Sequence, residues 1–266
     1  KCTMIKKSKI ATILPYKENY TFSKAQAAAI WVNDFFKFSK FKNENFIFGN
    51  TNSKDFLTKN YINVSLKKKK SRLSSTSIEY CDNFLRLEPK YDFDIIEIHN
   101  RPLIFNYLHN KIKKKFILYF HNDPISMKGS KSSSERLSLL DKVDKIIFVS
   151  KWVQNRFFEK IDKKLIDKTE VVYPSIHKEK KLLTKSKNIV FVGKLNDSKG
   201  YDIYKDAILR ILDEFKDWKA FSIGDELRKR PHIIHPLHFE LGFLKHKDVL
   251  KFLNKSEIAV VPSRWE

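Results

Sequence analysis

Short apolar runs rich in β-branched and aromatic residues alternate with helix-period segments along the whole chain, and this alternation confines it to an α/β architecture built on parallel sheets. The first unit is a strand over Lys9 to Leu14, a connection through Pro15 to Thr21, and a helix whose face is Phe22, Ala25, Ala28, Ala29, Val32, Phe35 and Phe36. Strands follow at Asn45 to Phe48 and Tyr61 to Val64, then a helix near Thr76 to Leu87. Further strands run over Phe93 to Ile98, Phe116 to Phe120, Lys145 to Val149 and Glu170 to Tyr173. Ser150 is placed to cap a helix carrying Trp152, Val153, Arg156 and Phe157.

A polar, Lys-rich stretch at 176–187 reads as a linker, so the expected domains are 1–180 and 187–266. Beyond it the βα series restarts with a strand over Asn188 to Val192 and a helix presenting Ile203, Ala207, Ile211, Leu212 and Phe215. Strands at Lys219 to Ile223, Phe239 to Leu241 and Glu257 to Val261 flank a helix over His246 to Asn254.

A length of 266 residues accommodates two modest domains, and 42% hydrophobic content supplies their cores. No run reaches the roughly 18 apolar residues of a spanning helix, and the stretch Ile10 to Leu14 is too short for a secretory h-region. A soluble, cytoplasmic protein is expected. Cys2 and Cys81 are the only cysteines, which excludes a disulfide framework or a cysteine-based zinc cluster. The net charge of +22 suggests a phosphate-rich partner, yet lysine far outnumbers arginine and is spread evenly, and no nucleic-acid-binding signature is present. No nucleic-acid partner is expected; peripheral attraction to an anionic inner membrane face is. The run Lys67 to Lys70 reads as a solvated loop.

Two histidines fall where a parallel sheet binds ligands, at strand carboxyl ends: His99, before Asn100 and Arg101, and His121. A strand-end histidine satisfied by backbone is the plainer alternative for His121. In Gly193-Lys194-Leu195-Asn196-Asp197-Ser198-Lys199-Gly200, a glycine ends a strand, a helix N-terminus follows, and two lysines flank the spot. Such an arrangement holds a diphosphate, because free N–H groups, the helix dipole and both ammonium groups favour negative charge. An ordinary βα loop with solvated lysines fits the same local pattern equally well.

The segments at 191–200, at Gly242-Phe243 and at Ala259-Val260-Val261-Pro262-Ser263-Arg264-Trp265-Glu266 resemble, in order and spacing, the donor-binding domain of family 4 glycosyltransferases of the GT-B fold. The first half resembles that family's acceptor domain at Ile13-Leu14-Pro15, at 96–102, at Tyr119-Phe120-His121-Asn122-Asp123-Pro124 and at 148–153. The resemblance implies two Rossmann-like doubly wound parallel-sheet domains facing a cleft, the second incomplete. It also implies sugar transfer from a nucleoside-diphosphate-sugar donor to a saccharide or lipid-linked acceptor, with retention and in cell-surface polysaccharide or lipopolysaccharide synthesis. His121 then assists the reaction by hydrogen bonding. Gly193, Lys194 and Lys199 grip the diphosphate, Gly242 and Phe243 border the nucleobase, and Glu266 stands just before the family's acidic pair. Gln26, His99, Asn100 and Arg101 are assigned to the acceptor or cleft wall.

Lys194 replaces the family's usual arginine and loses its planar fork. The segment Lys24-Ala25-Gln26-Ala27 lacks the usual glycines, so Gln26 either contacts the ligand or fills the gap. Phe243 fits a plain core position as well as a pocket wall. The acidic pair is largely missing, so the chain as given is expected to be a weakly active or inactive fragment. No metal or other cofactor is expected, since the lysines can fill the cationic role. The alternatives are a GT-B-fold nucleotide-sugar epimerase and a non-catalytic nucleotide-sugar-binding fragment.

Overall fold

The computed structural model describes residues 8–66, 75–175, 183–226 and 231–264. The Lys67 to Lys70 run, most of the expected linker and Glu266 lie outside them. The chain divides into two compact units, Lys1–Ile176 and His177–Glu266.

The first unit holds strands β1 (Ile10–Ile13), β2 (Asn45–Gly49), β3 (Tyr61–Asn63), β4 (Ile95–His99), β5 (Lys115–Phe120), β6 (Lys145–Phe148) and β7 (Thr169–Val171). They form one sheet in the order β3-β2-β1-β4-β5-β6-β7, every pairing parallel. Parallel strands need crossover connections, and the helices supply them: α1 (Ala27–Phe38), α2 (Thr76–Tyr91), α3 (Pro102–His109), α4 (Ser133–Lys142) and α5 (Lys151–Phe157). The order doubles back between β1 and β4, which makes their carboxyl ends the switch point of the sheet.

The main core packs Ile13, Ile96, Ile98, Phe116, Leu118, Phe120 and Phe148 against Phe84, Phe105, Leu139 and Phe157. A smaller cluster on Leu14, Ala29, Val32 and Ile47 seats α1. That helix starts later than its periodicity suggests. Phe22 is 62% exposed in the turn before it, because Phe22 N–H bonds Asp55 O and holds the segment off the helix. Helix α2 runs four residues beyond Leu87, through Pro89, and closes on Asp92 in a left-handed cap. Helix α4, absent from the periodicity reading, carries a capping box in which Ser132 and Glu135 satisfy each other's backbone N–H. Ser150 caps α5 as expected, accepting from Val153 N–H.

The second unit holds β8 (Ser186–Val192), β9 (Lys219–Ile223), β10 (His238–Gly242) and β11 (Ser256–Val260), in the order β10-β9-β8-β11 and all parallel. Strand β8 starts at Ser186, inside the stretch expected as linker. Helices α6 (Tyr201–Glu214) and α7 (His246–Lys255) connect them. The buried face of α6 is Tyr201, Tyr204, Ile208 and Leu212. Ile203 and Phe215, expected on that face, are each 46% exposed. The tyrosines displace them because each buried hydroxyl finds a partner: Tyr201 donates to Ser222 Oγ at 3.1 Å and Tyr204 to Phe221 O at 3.1 Å. Among the described residues no helix is long and apolar enough to cross a membrane.

Candidate active site

In the first unit the carboxyl ends of β4 and β5 are tied by one residue. Asn100 sits in the left-handed region at φ 54°, which asparagine tolerates better than most side chains. Its N–H donates to Tyr119 O at 2.8 Å, and its Oδ1 accepts from His121 N–H at 2.7 Å. Arg101 then donates to Asn100 O at 2.8 Å and precedes Pro102, the first residue of α3. Asn100 is buried and acts as a clamp between strands, not as a wall contact.

His99 is 1% exposed, so it too offers no surface to an acceptor. Its Nδ1 lies 2.8 Å from His121 Nε2. The Tyr119 ring stacks on His99 with centroids 4.4 Å apart, and the Trp31 indole meets His121 edge-on at 4.9 Å and His99 at 5.7 Å. Trp31 reaches this cluster because α1 packs on the same face of the sheet; as a helix residue distant in sequence it carried no signal. Burial holds the His121 imidazole at about 4, against an ordinary 6.5, and burial followed by the neighbouring His121 holds His99 well below its ordinary value. Both rings are neutral at pH 7.

Two residues nearer the amino end of β4, Glu97 accepts from Thr12 Oγ1 at 2.9 Å, and burial pushes its carboxyl up to about 6. Beyond His121, Asp123 pairs with Arg156 of α5 at 3.2 Å and fixes the next turn. Gln26 is exposed at the N-cap of α1 and makes no side-chain cap bond.

The depressed His121 value has a consequence for acid stability. Below pH 6.5 the unfolded chain takes up a proton that the folded His121 refuses until about pH 4, so the His121 contribution to stability is lost progressively across that window, and the depressed His99 adds a loss of the same sign. The expected loss from His121 is about 3 kcal/mol. Glu97 works in the opposite sense between its ordinary 4.5 and about 6, so the measurement is the difference between wild type and His121→Phe in urea titrations at pH 7 and pH 4.

In the second unit three neighbouring strands each meet a glycine at the carboxyl end: Gly193 after β8, Gly224 after β9 and Gly242 closing β10. Gly193 N–H donates to Ile223 O at 2.9 Å, and Gly224 N–H to Gly242 O at 2.8 Å. The fit is tight at Gly224, with φ 138°, where a Cβ would stand 1.8 Å from Gly193 O. The result is a rim of bare backbone across the sheet edge.

Asn196 shapes the turn beside it, its Oδ1 accepting from Lys199 N–H at 3.2 Å and its Nδ2 donating to Glu226 at 2.8 Å. The Lys199 stem lies against Gly193, its Cγ 3.8 Å from the position of a Cβ there. Lys194 is exposed in the same loop. Gly200, at φ 67°, lets Pro262 O come within 2.1 Å of where its Cβ would be. Arg264 grips Asp202 with two bonds of 2.7 and 2.6 Å and also donates to Asp197 O. The connections after β8 and β11, the switch point of this sheet, are thus locked together. Phe243 is 56% exposed and does not belong to the core.

The structure therefore gathers Gly193, Lys199 and Gly242 at one edge of the second sheet, and His99, Asn100, Arg101 and His121 at one edge of the first. Gly224, Asn196 and Arg264 join the first group without having been singled out; the glycine closing a third βα strand was the available signal. Among the described residues no three His, Cys, Asp or Glu side chains group as metal ligands do.

No family model matches the sequence, and no curated protein does. Solved structures are similar across nearly the whole chain. Sucrose-phosphate synthase from Thermosynechococcus elongatus has a TM-score of 0.70 at 12% identity, covering 98% of this chain and 76% of that one. The Anabaena protein HepE, in complex with UDP-glucose, gives 0.69 at 13%, covering 97% and 74%. The lipopolysaccharide outer core galactosyltransferase WaaB, in its apo form, gives 0.62 at 14%, covering 96% and 74%. Likeness at these identities shows architecture, and the architecture is an α/β fold of the GT-B type, with a Rossmann-like parallel sheet in each unit.

Proposed function

We propose that this chain is a nucleotide-sugar-dependent glycosyltransferase of the family 4 type, moving a hexosyl group from a nucleoside-diphosphate donor to a saccharide or lipid-linked acceptor with retention. The observation that carries the reading is the glycine rim of the second unit beside Lys199 and the start of α6. Backbone there can approach a diphosphate more closely than any side chain would permit, and an ammonium group next to a helix N-terminus offsets charge building on the leaving phosphate. The reaction then needs no metal, since lysine supplies the cation. His121, neutral and fixed, acts as a hydrogen-bonding group for the reacting donor.

HepE in complex with UDP-glucose supports the choice of a uridine donor as the first probe. Calorimetric titration with UDP-glucose and UDP is expected to show binding that weakens at least tenfold in Lys199→Ala and stays within twofold in Lys216→Ala, a lysine on the turn after α6. Equal affinity in wild type and Lys199→Ala would overturn the site.

The acceptor side of the proposal places the work in cell-surface polysaccharide or lipopolysaccharide synthesis, in the cytoplasm at the inner membrane face. Its support is the net charge of +22 and the stretch in which exposed Phe35, Phe38 and Phe41 interleave with Lys37, Lys40 and Lys42. Co-sedimentation with anionic but not with neutral vesicles is the expected result, and equal retention by both would contradict it.

A further inference from the structure

We propose that His99 is a positioning residue that fixes His121 in the tautomer carrying its proton on Nδ1. The inference deepens the reading of His121 as a hydrogen-bonding group and takes its functional meaning from that reading, but its evidence is geometric.

The two imidazoles share one contact, His99 Nδ1 to His121 Nε2 at 2.8 Å, so a single proton lies between them and one ring donates while the other accepts. Which ring donates is decided at the far nitrogen of His99. His99 Nε2 is buried and has no hydrogen-bond partner among the described residues. Were His99 the acceptor, its proton would sit on Nε2, leaving an N–H in the interior with nothing to receive it. Buried orphan N–H groups are rarer than buried orphan lone pairs.

The surroundings point the same way. The other unpartnered buried atom of this cluster is Trp31 Nε1, itself a donor, on an indole whose centroid is 5.7 Å from that of His99. A second donor at His99 Nε2 would add another unsatisfied N–H to a cluster that already buries one. His99 therefore carries its proton on Nδ1 and donates it to His121 Nε2. A neutral His121 whose Nε2 is accepting must hold its own proton on Nδ1.

His121 is thereby made a donor through Nδ1–H without becoming a cation. Its orientation is set from three sides: the His99 bond, the Trp31 edge, and Asn100 Oδ1 on its backbone N–H. A hydrogen-bond donor held in this way is suited to an oxygen gaining negative charge, and it needs no rearrangement at the moment of reaction.

The test is read from the ring nitrogens and not from turnover. In the histidine-labelled protein, two-bond proton–nitrogen correlation at pH 7 is expected to show His121 protonated at Nδ1 and bare at Nε2, with His99 protonated at Nδ1. His99→Phe keeps the stacking on Tyr119 and removes the donor; His121 is then expected to revert to the Nε2–H form that predominates in free imidazole. His99→Asn places an amide N–H near the former Nδ1 and is expected to restore the wild-type pattern. His121 protonated at Nε2 in the wild type, or unchanged by His99→Phe, would overturn the proposal. If His99→Phe does not fold, the wild-type spectrum and His99→Asn still decide it. Failure of UDP binding would sink the donor site and leave this result standing.

Discussion

Gly224→Ala is expected to cost the second unit about 3 kcal/mol and to abolish nucleotide binding. The added carbon would stand 1.8 Å from Gly193 O, and the blocking atom is backbone at the end of the adjacent strand, so no side-chain rotation relieves the clash. The residue's φ of 138° adds strain for any side chain. Relief requires β8 and β9 to part where Gly193 N–H bonds Ile223 O. Gly242→Ala is the internal control. It has φ 65° but, among the described residues, nothing within 4 Å of its Cβ position, so only the backbone term of about 1 kcal/mol applies. Urea unfolding of the two variants measures the difference, and equal midpoints would remove the packed rim from the account.

Arg136→Leu is expected to destabilise the first unit by about 3–5 kcal/mol, because buried carbonyls left without a donor cost about 1–3 kcal/mol each. This guanidinium is 2% exposed, and among the described residues its hydrogen bonds do not go to acidic side chains. It donates instead to four backbone carbonyls: Phe157 O, Lys131 O and Glu159 O at 2.6 Å and Ser130 O at 3.1 Å. Phe157 and Glu159 lie at the carboxyl end of α5, whose unpaired carbonyls and dipole present negative charge, and Ser130 and Lys131 lead into α4. A leucine leaves all four oxygens without their donor. Arg136→Lys keeps the charge but not the fork, so it is expected to recover less than half of the loss. A leucine variant within 1 kcal/mol of wild type in urea would mean that the carbonyls find other donors.

The order of strands and helices was legible because a parallel strand is buried on both faces and reads as a short apolar run, as at Ile146 to Phe148 and Ile189 to Phe191. Helix faces were harder. Tyr201 and Tyr204 look amphipathic in sequence and are core in the structure, because Ser222 and a strand carbonyl satisfy their hydroxyls across the sheet. Helix α4 has weak apolar periodicity and announces itself only through its Ser132–Glu135 box.

The candidate site was legible in part for the same reason. His121, Gly193 and Lys199 stand at strand ends, which sequence locates. Burial and partnership do not follow from position: His99 and Asn100 share the strand-end signal of His121, yet the fold turns both inward, one against Tyr119 and the other across β4 and β5. Trp31 and Arg264 act through contacts between segments far apart in sequence, and no local pattern announces such contacts.

The central claim is that the carboxyl edge of the second sheet cradles a pyrophosphate, and the chain's own composition provides its test. There are six glycines, of which Gly193, Gly200, Gly224 and Gly242 lie along that edge while Gly49 and Gly129 lie in the first unit. In glycine-labelled protein titrated with UDP, the amide signals of those four are expected to shift together with one dissociation constant while Gly49 and Gly129 stay still. Saturation of UDP binding with the four signals unmoved would contradict the account.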